Sequence, residues 1–295
     1  MEVLIVGAGA MGRWMARTID AERTTFADLD PTAAATAAET LGGRSTSLDA
    51  DKRFDVVCIA VPLSIVTEAI AAHASKAERA VVDVSGVMAG PVAAMREHAA
   101  DRERLSLHPL FAPENAPGTV AVVADAPGPV TDRIRERISS AGNELFETTV
   151  ADHDVAMETV QAKAHAAILS FALAADDVPE AFQTPVSSAL FDLVETVAGG
   201  TPRVYGDIQR SFAGADEVAA AAARIAEADG ETFERLYAEA SSRFDRSAGS
   251  SSDEPAEPAS DGSTESRTDV PAEPASDEST ESRADEPAEP QTGDE

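Results

Sequence analysis

Residues 2–12 read EVLIVGAGAMG: a short apolar run, Val3–Val6, enters G-x-G-x-x-G at Gly7, Gly9 and Gly12. The first glycine of such a motif permits a tight turn, the second lets backbone approach a pyrophosphate, and the third lets a helix pack closely on the strand. The N–H groups of the helix start then face the anion. A second apolar run, Thr24–Ala27, ends in Asp28, nineteen residues after Gly9. That is where a carboxylate hydrogen-bonds the ribose 2′-OH of NAD. Cofactor contacts are therefore expected at Gly7, Gly9, Met11, Gly12 and Asp28, and at Val61 and Pro62, where the next buried strand ends. Asp28 and Asp30 would repel the 2′-phosphate of NADP, so NAD is the expected cofactor.

Outward from this motif, strand and helix signals alternate. Asp30-Pro31 opens an Ala-rich helix to about Leu41; Asp55–Val61 is a buried strand closed by Pro62; Ser64–Ala74 reads as a helix. Ala80–Val84 is a further strand ending at Ser85-Gly86, and Leu105–Leu107 leads to His108-Pro109. Strands at Thr119–Ala124 and Glu144–Thr148 enclose a helix at 128–141. This alternation predicts an α/β fold with a doubly wound, Rossmann-type parallel sheet over residues 1–149. Ligands then bind at strand carboxyl ends, where Asp28, Pro62, Ser85 and His108 fall. From residue 150 the pattern is helical: 150–175, 185–198, 203–211 and 217–242. Apolar residues recur at helical spacing (Met157, Val160, Ala164, Ile168, Phe171), so residues 150–244 are expected to bury one face, part of it as a homodimer seam. After Phe244 the segments EPAEPASDGSTESR (254–267) and VPAEPASDESTESR (270–283) repeat with a period of sixteen. An acidic tail so poor in large apolar residues cannot build a core, and 245–295 is expected to be disordered.

The 295-residue chain carries a formal charge of −30. Residues 1–244 alone hold 37 acids against 20 bases, and only three lysines occur, Lys52, Lys76 and Lys163. Self-repulsion of that size is relieved at high salt, which marks a salt-adapted cytoplasmic protein. Nucleic acid and anionic membranes are disfavoured partners, since no basic patch is visible. No signal peptide or membrane span is expected. The single Cys58 sits in a buried run, and no Cys/His spacing suggests a metal.

Of five histidines, His73 and His98 read as solvated. His108 ends a strand and is followed by the stiff Pro109-Leu110-Phe111-Ala112-Pro113. Gln161 and His165 are four residues apart, which places them on one helix face with Met157 and suits a substrate site. The ordered set G-x-G-x-M-G, D-V-S-G-V near 83, H-P-L-F-A-P near 108, H-D-x-x-M-x-x-x-Q-x-x-x-H near 153 and P-x-x-Y-x-D-I-Q near 202 resembles the prephenate/arogenate dehydrogenase family of tyrosine biosynthesis. The resemblance covers residues 1–240. It implies a Rossmann domain, a helical dimerisation domain, and oxidative decarboxylation of prephenate, with arogenate as the related substrate. It assigns His108 as the base that takes the substrate hydroxyl proton, and places Gln161 and His165 against the substrate.

Two departures stand out. The family's D-x-x-S-x-K is Asp83-Val84-Ser85-Gly86-Val87-Met88 here, with the serine one position early and the lysine replaced. Ser85 would bond His108 or the substrate hydroxyl. The arginine expected six residues before Pro202 is Thr196. A dianionic substrate needs cations, and Arg203 and Arg210, flanking Tyr205, are the nearest candidates. Two other readings fit part of the pattern: a 3-hydroxyacid dehydrogenase, which would rest on a helical lysine, although Lys163, the one lysine there, lies off the Gln161/His165 face; and a non-catalytic NAD-sensing regulator, against which the clustering of His108, Gln161 and His165 argues.

Overall fold

The computed structural model describes residues 1–249. Eight strands form one sheet: β1 (Glu2–Val6), β2 (Arg23–Ala27), β3 (Arg44–Ser45), β4 (Phe54–Ile59), β5 (Ala77–Val84), β6 (Glu103–Pro109), β7 (Thr119–Ala126) and β8 (Glu144–Glu147). Their order is β3-β2-β1-β4-β5-β6-β7-β8. The chain steps outward from β1 to β3, then returns to lay β4 against the other side of β1, so the order reverses between β1 and β4. In an open α/β sheet that reversal opens the ligand crevice.

Pairing is parallel from β3 to β6, as expected. β7, however, runs antiparallel to β6, with β8 parallel to β7. The reason is connection length. Residues 110–118 are too few for the crossover of a dozen or more residues that a parallel neighbour needs. The two-residue β3 has no counterpart in the sequence pattern.

Alternate residues of the strands face opposite helical layers. Val3, Ile5, Val56, Cys58, Val82 and Leu107 share one core with α1 (Ala10–Ile19), α2 (Pro31–Leu41) and α5 (Pro129–Ser140). Leu4, Val6, Val57, Ile59 and Val81 share the other with α3 (Val66–His73) and α4 (Ala89–His98). Sandwiching on both faces explains why these strands read as continuous apolar runs. Asp30 caps α2 by accepting from Thr32 N (2.9 Å), with Pro31 at the first helical position.

After β8 the chain is helical, entered through Thr149, whose side chain accepts from Asp152 N. The expected single helix over 150–175 comprises α6 (Val150–Met157), a π-helical segment (Glu158–Lys163) and α7 (Ala164–Ala174). α8 (Pro185–Ala198) and α9 (Pro202–Ser211) follow, separated at Gly199–Thr201. The stretch expected as one helix over 217–242 divides into α10 (Gly214–Ala226) and α11 (Gly230–Gly249), because Asp229 restarts the helix by accepting from Thr232 N (2.9 Å). Met1–Leu236 pack as one compact unit, and the described residues from Tyr237 onward are set apart from it. α11 carries on five residues past Phe244; the rest of the expected acidic tail lies outside the described residues. Among the described residues no helix is long and apolar enough to cross a membrane.

Candidate active site

The glycine loop leaves β1 at the crevice. Gly7 has φ +101°, and a Cβ there would lie 2.2 Å from Ala60 O and 3.2 Å from Val61 Cγ1, at the end of β4. A Cβ at Gly12 would lie 1.9 Å from Gly7 O, so the helix passes too close to the turn for any side chain. At Gly9 a Cβ would meet nothing within 4 Å; this face is open, as a backbone approached by a pyrophosphate must be. Met11, in the first turn of α1, is partly buried against the core. Asp28, at the end of β2, accepts from Ala8 N (2.7 Å) and Asp30 N (2.9 Å). A carboxylate offers about four lone-pair sites, so Asp28 can brace the loop and still receive a ribose hydroxyl. These residues fit a dinucleotide, with Val61 and Pro62 forming the opposite lip.

β6 carries His108 to the sheet's carboxyl edge, 7% exposed. Its Nδ1 lies 2.9 Å from His153 Nε2, and His153 Nδ1 lies 2.7 Å from Asp154 Oδ1. On its other side His108 Nε2 lies 3.3 Å from Gln161 Nε2. A Cβ at Gly86 would sit 3.5 Å from that same Nε2 and 3.6 Å from Leu63, which follows Pro62. The imidazole edge therefore borders the cofactor crevice. Burial pushes the His108 pKa down to about 3, with His153 adding to the effect and Asp154 opposing it. At neutral pH the ring is uncharged and able to accept a proton.

Several site residues are placed differently from expectation. Ser85 is buried beside His108, with Ser85 N donating to Leu107 O (3.0 Å), but its hydroxyl makes no hydrogen bond to His108 and lies instead on the side of Asp83, whose charged form it favours. His153 holds the ring instead. Gln161 and His165, four residues apart, meet different partners. The π segment widens the helical turn between them, and while Gln161 reaches His108, the His165 ring packs edge-on against Tyr205 with centroids 4.7 Å apart. Arg210 pairs with the buried Asp207 (2.5 Å), so its charge is already met. Arg203, on the same helix, is exposed, with no ion-pair partner among the described residues. Lys163 is bound to Glu217 (2.7 Å) and Glu158 (3.6 Å), which removes the free helical lysine that a 3-hydroxyacid dehydrogenase would use. His73 is half-buried, with Nδ1 shielded and unbonded, rather than solvated; burial lowers its pKa. His98 is exposed, as expected.

Three further residues shape the site. His153 and Asp154 are the H-D of the pattern near 153, which by itself gives neither a role. Asp83, 0% exposed, lies on the site's face of the sheet, in register with Ser106 and one pleat below Ser85 and His108. Neither carboxyl oxygen has a hydrogen-bond partner. Burial raises the Asp83 pKa to about 7, against the pull of the Ser85 and Ser106 hydroxyls. The one available signal was an acid inside the run Ala-Val-Val-Asp-Val.

Comparison with known proteins matches residues 11–125 to the family described as "Prephenate dehydrogenase, nucleotide-binding domain". The chain is 30% identical over 266 residues to 4-amino-4-deoxyprephenate dehydrogenase of Streptomyces pristinaespiralis, an alignment covering 80% of this chain and 88% of that protein. It is 23% identical over 225 residues to a probable arogenate/prephenate dehydrogenase of Methanocaldococcus jannaschii, covering 70% of this chain and 50% of that one. Among solved structures, prephenate dehydrogenase from A. aeolicus in complex with hydroxyphenyl propionate and NAD+ superposes with a TM-score of 0.62 at 16% identity, over 85% of this chain and 92% of that one. Synechocystis arogenate dehydrogenase superposes at 0.52 and 15% identity, over 84% and 100%. These superpositions establish a shared fold.

Proposed function

The chain belongs to the prephenate dehydrogenase family, and from that premise we propose that it is an NAD-linked, cytoplasmic enzyme that converts prephenate to 4-hydroxyphenylpyruvate by oxidative decarboxylation. The observation that carries this reading is a buried, uncharged imidazole, His108, whose Nε2 edge borders the crevice beside the glycine loop. Residues 1–149 hold the dinucleotide through Gly7, Gly9, Met11, Gly12, Asp28, Val61 and Pro62. Residues 150–244 supply substrate contacts from Gln161, His165, Tyr205 and Arg203, with Arg210 held beside them by Asp207, and pair two copies of the chain.

NAD, held at the glycine loop and Asp28, would supply the acceptor for the hydride on the ring carbon that bears the hydroxyl. As that hydride leaves, the hydroxyl becomes a protonated carbonyl, a strong acid, so a base with a pKa as low as that of His108 still accepts its proton. Loss of carbon dioxide then leaves an aromatic ring, which makes the reaction irreversible. Ser85, buried beside His108 and not bonded to it, would turn its hydroxyl to the substrate hydroxyl.

A second substrate is favoured by the Streptomyces relative: 4-amino-4-deoxyprephenate, which carries an amine where prephenate carries the hydroxyl. NADH formation measured with prephenate, arogenate and 4-amino-4-deoxyprephenate in parallel ranks the three by kcat/KM. His108→Asn should lower kcat about a hundredfold or more, with NAD affinity unchanged. If kcat survives and only KM rises, His108 binds substrate and another group is the base.

A further inference from the structure

The hydrogen bonds around His108 form a chain in which each link decides the next. Asp154 is a carboxylate pinned by two backbone donors: Met88 N to Oδ1 and Ala89 N to Oδ2, each 3.0 Å. An ionised carboxylate can only accept, so the 2.7 Å contact requires His153 Nδ1 to carry the proton. A neutral imidazole with a proton on Nδ1 has its lone pair on Nε2. With His153 uncharged, that nitrogen faces His108 Nδ1 at 2.9 Å, so His108 Nδ1 donates and the His108 lone pair falls on Nε2, the atom that the Gln161 amide N–H approaches at 3.3 Å. Nε2 is the atom beside Gly86 and Gln161, on the crevice side.

We propose that His153 and Asp154 are positioning residues that hold His108 in the one tautomer able to act as a base. Asp154 fixes two things together: the tautomer of the relay, and the backbone at Met88-Ala89, where the loop after Ser85-Gly86 enters α4. His108 lies on β6 while its orienting pair lies on α6, 45 residues further on. The base is thus competent only when α6 is docked on the sheet. This inference rests on the reading of His108 as the base, but its first test does not require turnover.

The chain has five histidines, few enough for each imidazole to be resolved by long-range proton–nitrogen correlation on the 15N-labelled full-length protein, with His108→Asn and His153→Asn giving the assignments. The expected wild-type result is His108 protonated on Nδ1 and bare on Nε2. Asp154→Ala removes the carboxylate that fixes the proton on His153 Nδ1, so both rings are free to exchange tautomers. His108 should then show a substantial Nε2-protonated population, and kcat with prephenate and NAD should fall by about tenfold or more, because the wrong tautomer cannot act as the base. His153→Gln, whose amide oxygen can accept from His108 Nδ1, should keep the tautomer and retain more kcat than His153→Leu. The proposal is overturned by a wild-type His108 protonated on Nε2, by a tautomer indifferent to Asp154→Ala, or by equal kcat in the Gln and Leu variants. If the tautomer responds as stated while none of the three substrates is oxidised, the functional reading fails and this one stands.

Discussion

In the sheet, Leu4, Ile5, Val57, Ile59, Val81 and Leu107 are each 2% exposed or less, whereas in the helices after Val150, Leu173 is 89% exposed, Phe182 79% and Val186 73%. Both regions are rich in apolar residues. They differ in what the single chain supplies to cover them. Each sheet face receives its own helical layer from the crossovers, so burial completes locally. The helices after β8 pack on one another through contacts such as Phe171 against Phe191 (ring centroids 5.4 Å apart), and their outer apolar faces receive no layer from the described residues. The nucleotide part is covered within one copy, while the helical part leaves an apolar surface that the proposed pairing of two copies would cover.

The sharpest way to break this contrast is to charge the uncovered face. Leu173→Glu with Phe182→Glu should convert a dimer to monomer in sedimentation equilibrium, because burying each such side chain is worth about 1.5–3 kcal/mol and two copies lose both. Unchanged mass would mean that the helical face pairs with nothing through these residues.

The sheet has its own weak point, Asp83. Below its unfolded pKa of 3.8, Asp83 is protonated in both states and costs nothing; between 3.8 and about 7 the unfolded chain loses its proton first, so stability falls as pH rises, and above 7 the deficit is constant. Raising a carboxyl that far corresponds to about 4 kcal/mol against the folded state. Asp83→Asn should therefore gain in melting temperature relative to wild type as pH rises from 4 to 7. A difference flat across pH would show that Asp83 finds partners that lower its pKa.

Two glycines in one loop sharpen the contrast further. Gly12→Ala must displace the backbone carbonyl of Gly7 and should cost about 1–3 kcal/mol of stability. Gly9→Ala, which meets nothing, should melt like wild type yet bind NAD more weakly, as read by titration calorimetry. Equal stability of the two variants would refute the close helix–strand approach. The smallest expected effect is at Asp28. Asp28→Ala should narrow the preference for NAD over NADP by about tenfold, the worth of a charge-assisted hydrogen bond; a wild type that favours NADP in kcat/KM would remove that role.

Gly7, Gly12 and Asp28 were legible in the sequence because each answers a local demand: a positive φ, a close backbone approach, a strand end. Resemblance singled out His108, and the polar residues Gln161 and His165 were visible at their spacing. The antiparallel β7 could have been read from the short 110–118 connection. The π segment could not, since nothing in Glu158–Lys163 distinguishes it from ordinary helix. Nor could the silence of the Ser85 hydroxyl toward His108, which depends on rotamers that neighbouring elements impose.

The Rossmann-type sheet, the glycine loop, the helical second part and the family follow from spacing and residue type along short stretches of chain. That His153 and Asp154, rather than Ser85, hold His108, that Arg210 is already paired with Asp207, and that Asp83 lies buried beneath the site emerge only from the folded molecule. Those facts depend on which side chains meet across elements far apart in the chain, and a hydrogen bond between residues 45 positions apart leaves no periodic trace in either segment.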